Sequence, residues 1–162
     1  MIRTILFTAL ITVSFTACSK KSDSSSGGAA KTTEKAGGSV KLPKLGLEIA
    51  VSGAEVSDGI GGDGQMLMGG DVGAMTVELD KDPATEATVK DDADLFNAKN
   101  FKPEKLADGF GATYENTGSA GTNYFINYHR TIDGKQYHCS SMVANADQQK
   151  AVTAACKSLK KG

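Results

Sequence analysis

The chain is poor in the residues that most often carry chemistry: it has 3 cysteines, 2 histidines, no tryptophan, and only 6% aromatic residues. No two cysteines stand in a Cys-x-x-Cys pair, which removes the usual redox motif. Neither charge sign is in excess, since 18 basic against 19 acidic residues leave a formal net charge of −1. No basic surface is therefore on offer to nucleic acid, and no phosphate-binding loop appears. A nucleophile-and-base set is missing too. Gly118-Ser119-Ala120-Gly121 is not G-x-S-x-G, because Thr117 precedes it. Only 3 prolines accompany 19 glycines, a balance that favours many turns over extended linkers. These absences point away from an enzyme and leave no cofactor motif.

What is present begins at the N-terminus. Arg3 is followed by an apolar run over residues 4–17, shorter than the roughly 20 residues a membrane-spanning helix needs and matched to a signal-peptide core. The run ends in Phe15-Thr16-Ala17-Cys18. This tetrapeptide resembles the lipobox of bacterial lipoproteins, with Phe15 where an aliphatic residue is usual. The resemblance implies a signal peptide over residues 1–17, lipidation of Cys18, and a mature protein held to the membrane by its N-terminal lipid. Plain secretion with cleavage near Ala17 is the alternative, but it needs a small residue where Phe15 stands. Ser19 after the cysteine implies, by the same resemblance, the outer membrane of a two-membrane envelope.

Residues 18–39 carry no aromatic or branched aliphatic side chain and read as a flexible Ser/Gly/Lys tether, its ends roughly 25 Å apart as a coil. Lipidation of Cys18 also accounts for the odd cysteine, which leaves Cys139 and Cys156 as a pair in an oxidising compartment.

Residues 40–162 read as a single α+β domain, an antiparallel sheet of about five to seven strands with one or two helices packed on it. Alternation over 45–51 predicts a strand, and Gly-rich turns at 58–64 and 69–73 bracket short strands at 65–68 and 74–79. Thr88 with Asp91 predicts a capped helix to about Ala98, its apolar side formed by Val89, Ala93 and Phe96. A further strand is expected at 110–116. Asp133-Gly134 between 123–132 and 135–143 is the strongest short hairpin signal. Its register places Tyr124, Ile126 and Tyr128 on one face with Tyr137, Cys139, Ser141 and Val143. Asn145 then caps a helix running to about Lys160, with Val152, Ala155, Cys156 and Leu159 in one stripe. Cys139 and Cys156 thus lie on facing surfaces, and a disulfide between them is expected. The order of strands, middle helix, long hairpin and final helix is similar to the Mog1/PsbP-like sandwich, and Cys156-Lys157-Ser158-Leu159 near the end resembles that of small envelope lipoproteins.

Three ligand sites suggest themselves. The hairpin register pairs His129 with His138 on the face opposite Cys139, a half-exposed surface where two imidazoles could hold Zn or Cu given a third ligand. Neither histidine has an acidic partner at a defined spacing. Met66, Met68, Met75 and Met142 offer soft sulfur for Cu(I), though strand methionines are usually core filler. The loops from Asp58 to Asp71 have the Gly/Asp texture of a calcium site but lack the EF-hand series, and tight turns explain them more simply. Asp91, Asp92 and Asp94 read as a solvated helix face. The functional expectation is a non-enzymatic envelope lipoprotein that binds or supports an envelope protein or ligand, with a metal- or small-ligand-binding module as the alternative.

Overall fold

The computed structural model describes residues 38–60 and 62–162. The signal peptide, Cys18 and nearly all of the tether lie outside the described residues. The fold is α+β, with a seven-stranded antiparallel sheet, a three-stranded sheet and two helices.

The strands are β1 (Ser39–Leu42), β2 (Leu47–Ala50), β3 (Ala54–Asp58), β4 (Gly64–Gly69), β5 (Gly73–Leu79), β6 (Lys99–Leu106), β7 (Gly109–Gly118), β8 (Gly121–Ile132), β9 (Lys135–Val143) and β10 (Lys160–Lys161). Helix α1 spans Glu86–Leu95 and α2 spans Ala146–Ser158. The large sheet runs β3-β4-β5-β9-β8-β7-β6, and the small one β1-β2-β10. β1 starts at Ser39, one residue before the domain boundary read from composition.

The β8–β9 hairpin takes the expected register, with Tyr128 opposite Cys139 and His129 opposite His138. Asp133 and Gly134 both have positive φ, 51° and 75°. That is the backbone of the two-residue turn whose twist suits paired strands. Ile126, Tyr128, Tyr137, Cys139 and Val143 are buried on one face of the sheet. There they join one apolar cluster with Val152, Ala155, Cys156 and Leu159 of the α2 region and Leu42, Leu47 and Ile49 from the small sheet. The Cys139–Cys156 disulfide closes this layer, its Cα atoms 5.6 Å apart.

Three expectations change. The cap of α1 is Thr85, one turn before Thr88, whose hydroxyl instead accepts from the Thr85 N–H to complete the capping box. Phe96 is the C-cap and is half exposed rather than seated on an apolar stripe. α2 stops at Ser158, and Lys160 and Lys161 pair in strand fashion with Glu48 and Leu47 of β2. Lys99–Leu106, where the sequence reading places no element, pairs along β7 as an edge strand, β6, where Pro103 needs no ladder partner on its open side.

The described parts of the Gly-rich runs are turns, as the simpler reading has it: residues 59–60 and 62–63 lie between β3 and β4, and 70–72 join β4 to β5. Among the described residues no helix is long and apolar enough to cross a membrane.

Candidate functional site

The second face of the large sheet is built from three cross-strand rows. One row holds Phe110, His129, His138 and Glu78. The next holds Ala112, Asn127, Ser140, Thr76 and Met66. The third starts with Tyr114, Phe125 and Met142. Small polar side chains thus form a strip between an imidazole row and an aromatic-thioether row. The period of two along each strand dictates this, because the face opposite a continuous apolar core receives the alternate residues.

Helix α1 lies over the β7 end of this face, seating Val89 and Ala93. The expectation of a half-exposed surface at the histidines is corrected accordingly. His129 is 5% exposed and only 22% of the His138 side chain is accessible. His129 stacks between Phe110, at 5.3 Å, and His138, at 4.6 Å with the two imidazole planes 4° apart. Both histidines also have acidic partners. His129 Nδ1 lies 2.7 Å from Asp80 Oδ2, and His138 Nδ1 lies 3.2 Å from Glu78 Oε1. Those carboxylates arrive through the pairing of β5 with β9, a contact between segments about 60 residues apart, which local spacing cannot reveal.

The His138 pKa is lowered from the ordinary histidine value, first by burial and then by the neighbouring His129. The neutral ring therefore dominates at pH 7. With its Nδ1 proton directed at Glu78, Nε2 carries the lone pair.

Beside this stack a groove of about 570 Å³ opens along the polar strip, within the roughly 300–1,000 Å³ range of small-molecule sites. Its lining includes His138, Asn127, Ser140, Phe125, Phe96 and Asp92. Tyr114 contributes too, its hydroxyl pKa raised chiefly by burial and then by the Asp92 carboxylate. Phe125 stacks on Tyr114 at 4.8 Å and meets Phe96 at 5.5 Å, so the aromatic wall is continuous. Two polar atoms of the lining residues, His138 Nε2 and Asn127 Oδ1, are buried and have no hydrogen-bond partner among the described residues. Orphans of this kind are uncommon in folded proteins and expensive to leave.

The other sequence-based candidates do not assemble in the same way. Parallel stacking directs the in-plane lone pairs of His129 and His138 side by side rather than toward one ion. Among the described residues no group of three His, Cys, Asp or Glu side chains is placed to hold a metal. Asp58 and Asp63 lie against Lys44 and Lys81. Met75 is in the core on the opposite face, Met68 is exposed, and Met66 and Met142 line the groove. Asp91, Asp92 and Asp94 are all exposed as expected, and Asp92 also lines the groove, which its position in an acidic run did not single out.

Sequence reasoning also passed over Arg130, which is 8% exposed on the α2 side. Its guanidinium holds Asp108 in a two-pronged pair at 2.9 and 2.7 Å. The remaining nitrogen donates to the carbonyls of Cys156, at 3.0 Å, and Lys157 at the end of α2.

No protein-family model matches the chain, and neither does any curated protein at a significant level.

Proposed function

We propose that this protein is a lipid-anchored lipoprotein of a bacterial envelope whose α+β domain binds a small ligand in the groove beside His138, without catalysing a reaction. The anchor part of the proposal rests on the Phe15-Thr16-Ala17-Cys18 lipobox resemblance, and Ser19 favours the outer membrane. The binding part rests on one observation: a polar strip with two unpaired atoms, set between aromatic and thioether walls. Such a concave mixture is what a small-molecule site requires, since the walls supply burial and the few polar groups supply orientation.

Two experiments test the two parts. Screening the full chain in detergent against a fragment library by two-dimensional NMR should yield compounds that shift the amides of Asn127, His138 and Ser140. A library that moves no resonance in this region would remove the binding reading and leave a scaffold role. For the anchor, Cys18→Ala should leave the protein as uncleaved or soluble material, whereas a mature species still partitioning into detergent would rule out lipidation.

A further inference from the structure

The chemistry of the groove discriminates sharply between kinds of ligand. Among the described residues Asp92 is the only acid that lines it, and no lysine or arginine does. His138 Nε2 is an acceptor while Nδ1 donates to Glu78, and Asn127 Oδ1 is an acceptor as well. A carboxylate or phosphate placed here would find the hydroxyls of Ser140 and Thr76 as donors, but it would also face two lone pairs and an acid and bring no proton to share with them. A group with several N–H donors can serve both acceptors, and a positive charge on it is favoured by the Asp92 carboxylate elsewhere in the same lining. The walls add a place for an apolar body. Phe96, Phe125 and Tyr114 form a continuous aromatic wall against which it can pack, and Met66 and Met142 are polarisable thioethers that adapt to it.

Resting on the reading of the groove as a ligand site, the geometry points to an organic ammonium carried on an apolar or aromatic body as what it binds. The ammonium donates to His138 Nε2 and Asn127 Oδ1 in the field of Asp92, and the apolar body lies against the Phe96–Phe125–Tyr114 wall. Met142 is 59% exposed and lines the same groove, where an unbranched thioether can adapt to the ligand's apolar body.

The test compares two probes of similar size, phenethylamine and 3-phenylpropionate, titrated into the isotope-labelled full chain in detergent at pH 7.5. Phenethylamine should shift the Asn127, His138 and Ser140 amides saturably and bind roughly tenfold more tightly than the anion, the size of one charge-assisted hydrogen bond. Asp92→Asn, on the solvated side of α1, should weaken the amine by roughly threefold to tenfold and leave the anion no weaker. His138→Phe, which keeps an aromatic ring on the His129 stack but removes the acceptor, should weaken the amine further.

Equal or tighter binding of 3-phenylpropionate at the same amides would overturn the ammonium assignment while keeping the groove as a binding site. If neither probe moves them, the ammonium assignment falls, and the fragment screen decides separately whether the groove binds anything. Undiminished amine binding by both variants would also overturn it.

Discussion

His129 and His138 lie ring over ring, 4.6 Å between centroids and 4° between planes, each with Nδ1 turned to its own carboxylate. A metal needs ligand lone pairs that converge, and lone pairs in two parallel planes do not. Zn, Cu or Ca added to the metal-free protein should therefore leave the thermal midpoint where a chelator leaves it. A saturable rise with any of these ions would show that the stack opens to form a site.

The same stack makes a pH prediction whose sign follows from burial. His138 has its pKa lowered below 6.5, with burial and His129 outweighing Glu78 and Asp80. Below about 6.5 the unfolded chain therefore binds more protons than the native state. The native advantage is complete above that pH and is lost as the pH falls through it. The urea midpoint should drop between pH 7 and pH 5, with a slope no steeper than about 1.4 kcal/mol per pH unit for this one proton. His138→Phe should flatten the drop. Glu104, held low by its hydrogen bond from Lys157, and Asp108, held low by Arg130, act in a different window. Their contribution is present above about pH 4 and is lost below it. An unchanged slope in His138→Phe would mean that another group titrates.

The hairpin, α2 and the disulfide were legible because each is local. Asp133-Gly134 sets the register, the register puts Cys139 on the core face, and a stripe of four on α2 puts Cys156 opposite. The histidine face was legible only as a pair. Its carboxylates depend on β5 joining β9, a long-range contact without a local pattern. β6 was hidden for another reason. Lys99–Leu106 keeps charges and a proline because it is an edge, and those residues are how an edge avoids further pairing. The Thr85 cap was missed because Thr88 stands three residues later and is equally able to cap. The capping box uses both hydroxyls, so only the backbone fixes which comes first.

Cys139 and Cys156 are fully buried and close a loop with a sequence separation of 17. In the chain-entropy account such a loop is worth about 3 kcal/mol, by restricting the unfolded ensemble. Cys139→Ala combined with Cys156→Ala should lower the free energy of unfolding by about that amount, plus a smaller packing loss. Wild type unfolded in reductant should show a similar fall, read from its urea midpoint. Alkylation of the native protein without reductant should leave both residues unlabelled. A midpoint indifferent to reductant would show that the bridge contributes nothing in the unfolded state.

Arg130 separates two ways in which a buried charge can act. Its pair with Asp108 is bidentate, but 42% of the Asp108 side chain is accessible, so water can replace the guanidinium there. The carbonyls of Cys156 and Lys157 have the opposite problem, since they end a helix packed into the core and carry its negative dipole end. Arg130→Met should therefore cost about 2–3 kcal/mol, mostly by uncovering those carbonyls. Asp108→Asn should cost less, about 1 kcal/mol, because Arg130 keeps its bonds to the helix end. Both numbers come from urea unfolding at neutral pH, and the two changes together should cost little more than Arg130→Met alone. Equal losses for the two single variants would mean that the Asp108 pair carries the stabilisation and the helix end does not.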